Sequence, residues 1–340
     1  MMSDAGAAAL TLLVDLGGTN VRFGVADPVL EAPLLPDSVR RYRVAEHESL
    51  VATARHYLED TGLKVKRAVV AAAGRIDDGE TVKVTNNPWA ISARQTASEL
   101  GLEAVHLVND FAAQSMAVAL LQRADLVQVG APPLPTIGAD EEQTFAVVGP
   151  GTGLGVGGLL VRQGHCSVLQ TEGGHAGFAA HTHEDIAILD YLNQRFGRVS
   201  NERLICGQGL VNLYDALCNI AGTTAEPLLP EDITARAKDA SDPLCVRTVE
   251  TFAGIFGSVA GDLVLTLGAW DGVYLTGGLI PILLPWLERG HFRERFEAKG
   301  RFRDIMQKVP TQAIMNPEPG LLGAAALAVV ESGRPLLRQP

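Results

Sequence analysis

The stretch VDLGGTNVRFGVA, residues 14–26, consists of two apolar, strand-like runs on either side of the turn Gly17-Gly18-Thr19-Asn20. A second stretch, VVGPGTGLGVGGLLV at residues 147–161, repeats this design around another turn of glycine and threonine. A short glycine-rich link between two strand-like runs predicts an antiparallel hairpin. Two such hairpins, each at the start of one half of the chain, predict a duplicated fold with a cleft between the halves.

The rest of the chain alternates between helix-like and strand-like patterns, which indicates α/β layers. Ser92 with Gln95 predicts a capping box, and Gly101 predicts the end of that helix. The proline-rich segment 131–141 is interpreted as the crossing between two domains. The patterns predict strands at 11–16, 21–26, 67–73, 104–108, 144–149, 155–161, 271–275 and 311–315, and helices at 47–60, 92–100, 110–121, 184–196, 208–220, 243–268 and 320–331.

Composition excludes several classes of protein. The 340 residues are 47% apolar and 20% charged, with a net charge of −11, as expected of a globular protein of about two domains. No run of Lys or Arg exceeds two residues, so nucleic acid and anionic membranes are not expected partners. Four widely spaced cysteines predict buried, reduced thiols. The N-terminus lacks the basic region of a signal peptide, and no apolar run approaches ~20 residues, so we expect a cytoplasmic location.

Both glycine-rich turns are candidate phosphate sites. Successive backbone N–H groups in such a turn form an anion-binding nest, and Thr19 and Thr152 add hydroxyl donors. The alternative is that both are ordinary hairpin turns. The surplus of glycine in both segments favours phosphate. No Walker A motif is present, and Gly153-Leu154-Gly155 continues into a strand rather than a helix, which argues against a dinucleotide fold.

Asp15 comes immediately before the first turn. A carboxylate beside a phosphate site requires a cation between them, and Mg²⁺ prefers one or two carboxylates with waters and phosphates. Asp15 is therefore a candidate for binding magnesium, directly or through water. The alternative is that its side chain stabilises the turn as an Asx residue.

Asn109 and Asp110 follow the predicted strand 104–108. Ligands of open α/β sheets bind beyond the carboxyl ends of the strands, so both side chains are expected to face the cleft. Asp110 could accept the proton of a hydroxyl group as the base in phosphoryl transfer. The alternative is that Asp110 only caps the following helix.

A further set of polar residues suits a polyol, because a polyol needs carboxylates, amides and imidazole as donors and acceptors. Glu172 and His175 flank a pair of glycines, and Glu202 lies in a predicted loop, where it could instead favour a helix N-terminus. Zinc is a second interpretation of Glu172 and His175 together with His181 and His183, although their spacing matches no structural zinc pattern. The other polar candidates in a loop are Asn86 and Asn87.

These motifs resemble those of the bacterial ATP-dependent glucokinases, within the superfamily of hexokinases and actin-like ATPases. The resemblance runs from about residue 11 to residue 331, and the motifs occur in the same order as in the family. The repressor-related sugar kinases, the ROK family, share the opening motif but carry a cysteine-rich zinc motif that this sequence lacks. The segments that carry the resemblance are VDLGGTNVRFGVA, TNNPWAI, LVNDFAAQSMA, VVGPGTGLGVGGLL, TEGGHAGF, GQGLVNLYDAL, YLTGGLIP and PGLLGAAAL.

The resemblance implies a role for each matching residue. Asp110 would be the catalytic base for the sugar 6-hydroxyl, and Asp15 would bind Mg²⁺ through water. The glucose hydroxyls would be held by Asn86, Asn109, Asp110, Glu172, His175 and Glu202. The ATP-binding residues would be Asp15, Gly17, Gly18, Thr19, Asn20, Gly149, Gly151, Thr152, Gly153, Gly277 and Gly278.

The resemblance also implies an architecture and an activity. It implies two duplicated ribonuclease-H-like domains around a central cleft, with residues 1–120 and 320–340 in a small domain and 121–319 in a large one. It implies a homodimer that converts glucose and Mg-ATP to glucose 6-phosphate and ADP. The alternatives are a kinase for another hexose and a sugar-sensing regulator without turnover.

Overall fold

The computed structural model describes residues 10–85, 87–130 and 137–337. The strands are β1 (Thr11–Leu16), β2 (Asn20–Ala26), β3 (Arg40–Arg43), β4 (Arg67–Ala72), β5 (Ile76–Asp77), β6 (Thr81–Lys83), β7 (Ala90–Ser92), β8 (Ala104–Asn109), β9 (Leu126–Gln128), β10 (Gln143–Pro150), β11 (Leu154–Arg162), β12 (His165–Gln170), β13 (Gly272–Leu275) and β14 (Thr311–Ile314). The helices are α1 (Leu50–Thr61), α2 (Ala93–Leu100), α3 (Asp110–Ala117), α4 (His183–Phe196), α5 (Gly207–Ile220), α6 (Pro230–Lys238), α7 (Pro243–Leu267), α8 (Ile280–Leu287), α9 (His291–Glu297), α10 (Arg303–Met306) and α11 (Pro319–Glu331).

The two main sheets share one design. The first has the strand order β3-β2-β1-β4-β8, in which β1, β2 and β3 are antiparallel neighbours and β4 and β8 continue parallel to β1. The second has the order β12-β11-β10-β13-β14, with the same orientations, and adds β9 antiparallel at its edge. The predicted internal repeat therefore corresponds to two sheets with equivalent strand orders. A small third sheet, β5-β6-β7, follows β4.

Helices α3 and α11 lie between the two main sheets. On one side, Ala112 and Ala324 belong to an apolar cluster with Leu13 of the first sheet. On the other side, α3 and α11 contribute to a cluster with Phe145 of the second sheet. The helices cross closely, since a Cβ atom at Gly323 would lie 1.7 Å from a backbone carbonyl oxygen of α3. Small residues in α11 thus permit the contact that joins the two halves.

Helix α7 is the centre of the largest apolar cluster, which packs on the second sheet. Within the described ranges it is the one helix long and apolar enough to span a membrane, and 78% of its most apolar window is buried inside the protein. Those properties are also those of the core helix of a globular domain. All four cysteines are buried and free, so the prediction of buried, reduced thiols is confirmed.

Every predicted helix and strand is present, with ends that differ by a few residues. The helix expected from residue 47 begins at Leu50, because the Ser49 side chain accepts the N–H of Ala52 and caps it. Ser92 caps α2 as predicted, because its hydroxyl accepts the Gln95 N–H. The predicted capping box is not formed, since the Gln95 side chain donates to Glu99. The Glu80 carboxylate accepts the Ser92 hydroxyl and the Arg94 N–H at that helix start. Sequence patterns missed β3, β5, β7, β9, β12, α6, α8, α9 and α10.

Two predictions lie wholly or mainly outside the described residues. They are the absence of a signal peptide, predicted from the stretch 1–16, of which 1–9 are not described, and the domain crossing at 131–141, of which 131–136 are not described.

Candidate active site

The first glycine-rich turn is tied to neighbouring segments through its own backbone. The Gly17 N–H donates to the Asn20 carbonyl at 3.0 Å, and Val44 donates its N–H to the Thr19 carbonyl at 3.0 Å. The Asn87 side chain donates to the Gly17 carbonyl, also at 3.0 Å. These bonds occupy carbonyl groups of the turn, while Thr19 and Asn20 remain exposed. The turn therefore presents hydroxyl, amide and backbone groups to solvent in a fixed conformation.

The second glycine-rich turn is held by a later segment of the chain. The Gly151 N–H donates to the Gly153 carbonyl at 2.8 Å within the turn, and Gly207, at the start of α5, donates its N–H to the Gly151 carbonyl at 2.9 Å. The Glu202 carboxylate accepts the N–H of Leu154 at 2.9 Å. Glu202, predicted for the sugar, therefore lies beside a turn that is predicted for phosphate.

The third glycine segment lies directly against the second turn. Gly277 has φ +95°, and a Cβ atom there would lie 2.5 Å from the Pro150 carbonyl oxygen. That conformation and that approach both require glycine. Leu279 also donates its N–H to the Pro150 carbonyl at 3.2 Å. The structure thus brings together the two predicted ATP-binding sets of the second half, residues 149–153 and 277–278.

The glycines of β11 have a packing role that the sequence analysis missed. A Cβ atom at Gly155 would lie 2.0–2.5 Å from three ring carbons of Phe111, and one at Gly157 would lie 2.6 Å from the Ser115 hydroxyl. Gly149 contacts the same ring, where a Cβ atom would lie 2.9 Å from Cε2 of Phe111. The surplus of glycine in this segment therefore admits α3 against the second sheet, and it is not in itself a sign of phosphate.

Asn109, rather than Asp110, caps α3. The Asn109 backbone is extended, with φ −62° and ψ 139°, and its Oδ1 accepts the N–H groups of Phe111 and Ala112 at 2.9 and 3.1 Å. Asp110 is the first residue inside the helix, where its Oδ1 accepts the Phe111 N–H at 2.9 Å. The alternative interpretation of Asp110 as the helix cap is therefore wrong. One hydrogen of the Asn109 amide donates to the Gly74 carbonyl at 3.2 Å, which leaves the other for a ligand.

The Asp110 carboxyl group is electrostatically unusual. Burial first, and then the negative charges of Asp15 and Glu172, raise its pKa to about 6. A carboxylate whose pKa lies close to neutral pH is ionised at pH 7 and still binds a proton readily, which is the requirement for a general base. Because Phe111 packs against the second turn, Asp110 also lies where the two halves of the protein meet.

Three of the predicted sugar residues lie together. One ring nitrogen of His175 is 3.9 Å from the Glu172 carboxylate, and the other is 3.8 Å from the Glu202 carboxylate. Arg198 donates to the His175 carbonyl at 2.7 Å and so fixes the backbone of this loop. Among the described residues, no group of three or more His, Cys, Asp and Glu side chains is arranged to hold a metal ion, and the zinc interpretation thus gains no support. Asn86 lies outside the described residues.

Asp15 lies inside β1, opposite Arg22 of β2. Arg22 donates to the Asp15 carboxylate at 2.8 Å, so the carboxylate forms an ion pair rather than an Asx turn, and that alternative is wrong. Burial raises the pKa of Asp15, while the Arg22 charge opposes that effect. The ion pair uses Oδ2, and Oδ1 remains a possible ligand for a hydrated cation.

Several contacts that complete the site gave no signal in the sequence. Arg22 and Glu318 lie within 2.8 Å of each other although they are far apart in the chain. The Thr276 hydroxyl donates to the Gln114 side chain of α3 at 3.1 Å and so connects the second sheet to that helix. These contacts depend on the tertiary fold, and the local sequence around each residue does not indicate them.

Taken together, the fold and these groups have the properties of a phosphotransferase that acts on a hydroxyl of a small polar molecule. The family model for glucokinase matches residues 12–331. The chain is 55% identical to a glucokinase of Stenotrophomonas maltophilia (strain K279a) over 317 residues, 93% of this chain and 94% of the relative. It belongs to the glucokinase family.

Solved structures agree with this assignment. A crystal structure of a glucokinase from an Antarctic psychrotroph superposes with a TM-score of 0.84 at 32% identity, over 94% of this chain and 98% of that one. A ROK family glucokinase from Streptomyces griseus, in complex with glucose and AMPPNP, has a TM-score of 0.63 at 20% identity over 94% and 98% of the two chains. At that identity the second likeness concerns the fold alone, which is a mixed α/β fold shared by both families.

Proposed function

We propose that this chain phosphorylates D-glucose at the 6-hydroxyl with Mg-ATP, giving glucose 6-phosphate and ADP. The observation that carries the proposal is the partly buried Asp110 carboxyl group with a pKa of about 6, at the junction of the two halves, in a chain of the glucokinase family. Other hexoses and a sugar-sensing role without turnover are the competing functions.

The proposed architecture is two duplicated ribonuclease-H-like domains around a cleft. Residues 1–120 and 320–340 would form the small domain, and 121–319 the large one. The equivalent strand orders of the two main sheets support the duplication. The packing of α11 on β1 and β4 supports its assignment to the small domain, although α3 and α11 also contact the second sheet.

Nucleotide would bind across the glycine-rich turns. The first turn offers exposed Thr19 and Asn20, and the second lies against Gly277 where no side chain would fit. Membership of the glucokinase family supports ATP as the phosphoryl donor. The proposed ATP-binding residues are Asp15, Gly17, Gly18, Thr19, Asn20, Gly149, Gly151, Thr152, Gly153, Gly277 and Gly278.

The donor set around Asp15 fits magnesium. A single carboxylate, partly satisfied by Arg22 and adjacent to a turn for phosphate, suits a cation that keeps most of its waters. When bound, Mg²⁺ would neutralise charge on the phosphates. Asp15 would hold one of its waters.

Glucose would be oriented by the carboxylates, amides and imidazole near Asp110. The Asp110 carboxylate would accept the 6-hydroxyl proton as that oxygen bonds to the γ-phosphorus of ATP and the bond to ADP breaks. Positioning of glucose and ATP would supply most of the remaining rate enhancement. Closure of the cleft would exclude water, which competes with glucose as the phosphoryl acceptor. The proposed glucose-binding residues are Asn86, Asn109, Asp110, Glu172, His175 and Glu202.

The activity is expected to rise with pH through about 6. Asp110 accepts a proton only when ionised, and its pKa is raised to about 6, so kcat/KM for glucose should increase tenfold per pH unit below pH 6 and level off above it. A pH series of initial rates at saturating ATP, corrected for acid inactivation, measures this. A profile that stays flat from pH 5 to 8 would argue against Asp110 as the base.

A coupled ADP-release assay over several hexoses tests the proposed substrate. A site whose groups bond each hydroxyl penalises a sugar with a misplaced one, because a group then loses its partner, so kcat/KM for glucose should exceed that for fructose and galactose by at least ~10-fold. Equal turnover of the three sugars would exclude glucose specificity. Glucose binding by calorimetry without ADP release would instead indicate the regulator.

The remaining proposals are a homodimeric state and a cytoplasmic location. Both rest on the resemblance to the glucokinase family. Light scattering at several protein concentrations measures the oligomeric state.

A further inference from the structure

The N-terminal end of α11 lies directly against the Asp15 carboxyl group. A Cβ atom at Gly320 would lie 2.5 Å from Cγ of Asp15 and 2.7–2.8 Å from its two oxygens. Real Cβ atoms do not approach so closely, so a larger residue at this position would displace either the carboxylate or the helix. Gly320 therefore provides the space that the Asp15 side chain occupies.

Glu318, the residue before α11, is connected to the same carboxylate through Arg22. Nη1 of Arg22 is 2.8 Å from Asp15, and Nε of Arg22 is 2.8 Å from Glu318. The second contact lacks hydrogen-bond alignment, so it is an ion pair only. Arg41 lies 3.4 Å from the other Glu318 oxygen. The Glu318 backbone is held in place, because its N–H donates to the Asn316 side chain at 2.9 Å.

Burial makes these charges effective. The side chains of Asp15 and Glu318 are 13% and 19% exposed, so solvent screens their interaction with Arg22 only partly. One guanidinium group is thus shared between two carboxylates. If Glu318 were neutral, Arg22 would be free to pair more fully with Asp15 and to neutralise the charge that a divalent cation requires.

We propose that Glu318 is a positioning residue for Asp15, acting through Arg22 to keep the Asp15 carboxylate available to hydrated Mg²⁺. The inference rests on the proposed role of Asp15. It gives the segment Glu318–Gly320 a function in nucleotide binding, although α11 otherwise packs between the sheets. Removal of a residue that orients a metal ligand typically weakens metal binding by ~10–100-fold.

The Glu318→Gln variant tests this role, because it keeps the shape of the side chain and removes its charge. The affinity for AMPPNP is measured by calorimetry with Mg²⁺ and with EDTA. We expect the gain in AMPPNP affinity on adding Mg²⁺ to fall ~10-fold relative to the unmodified protein. The AMPPNP affinity measured in the presence of EDTA should change little. The free Mg²⁺ concentration for half-maximal turnover should rise by a similar factor, and KM for glucose should stay within twofold.

Glu331→Gln is the matched control. Glu331 lies at the other end of α11, where its carboxylate is 2.5 Å from His106, so the substitution also removes an ion pair from this helix. It should leave the Mg²⁺-dependent gain unchanged. A Glu318→Gln variant with the same gain as the unmodified protein, even with a lower Tm, would overturn the proposal. If the unmodified protein bound no AMPPNP or released no ADP with glucose, the proposed function itself would fail.

Discussion

Replacing Asp110 by Asn is expected to reduce kcat by at least ~100-fold, because an amide cannot accept the proton of the sugar hydroxyl. The start of α3 should be unaffected. Asn109 is the cap, and the new amide oxygen can still accept the Phe111 N–H. Steady-state kinetics with glucose and Mg-ATP measure the loss, and glucose binding should be partly retained. An Asp110→Asn enzyme with near-normal kcat would refute the assignment of Asp110 as the base.

The same variant should be more stable than the unmodified protein at pH 8. The folded state raises the pKa of Asp110 to about 6, above its value in the unfolded chain. Well below pH 4 the group is protonated in both states and costs nothing. The cost develops between about pH 4 and pH 6, and above pH 6 the charge of Asp110 opposes folding by about 2–3 kcal/mol. At pH 8 the free energy of unfolding measured by chemical denaturation should therefore be larger for Asp110→Asn than for the unmodified protein, and the difference should vanish towards about pH 3.

A control separates burial of charge from a general effect of the substitution. Asp77, whose side chain is 70% exposed, pairs only loosely with Arg75 at 3.5 Å. Asp77→Asn should leave both kcat and stability close to those of the unmodified protein at either pH. Lower stability of Asp110→Asn at pH 8 would contradict the raised pKa.

Replacing Gly155 by Ala is expected to impair both stability and turnover. The added methyl group would lie 2.0–2.5 Å from ring carbons of Phe111, the residue next to Asp110. Overpacking of this kind costs ~1–3 kcal/mol. A displacement of about 1 Å at a catalytic group can reduce the rate by ~100-fold. Thermal unfolding and kcat should therefore fall together.

Two further variants make this result specific. Nothing lies within 4 Å of a Cβ atom at Gly177, so Gly177→Ala should behave like the unmodified protein. Combining Gly155→Ala with Phe111→Leu should recover part of the lost stability, because the smaller side chain gives space to the methyl group. A Gly155→Ala protein with unchanged Tm and kcat would show that the contact between α3 and β11 does not position Asp110.

The hairpins were predictable because their signals are local. Turn residues between short apolar runs determine β1 with β2 and β10 with β11, and the repeated design anticipated the equivalent strand orders of the two sheets. Strong capping and glycine signals likewise located most helices. Short elements such as β5 and α10 were missed, since two to four residues carry no periodicity.

The site was predictable as a set of residue types but not as an arrangement. Asn109 and Asp110 are both good capping residues, and only the backbone conformation decides which of them caps α3. The glycines of β11 were interpreted as phosphate signals because the ring of Phe111, far away in sequence, could not be anticipated. The ion pair between Arg22 and Glu318 has no local signal for the same reason.

Identification of the reaction product tests the central claim most directly. Phosphorus NMR of a reaction containing glucose, ATP and Mg²⁺ should show one glucose 6-phosphate formed for each ADP, with little free phosphate. Asp110→Asn should form neither product at a comparable rate. ADP without a sugar phosphate, or phosphate on another hydroxyl of glucose, would contradict the proposed transfer to the 6-hydroxyl.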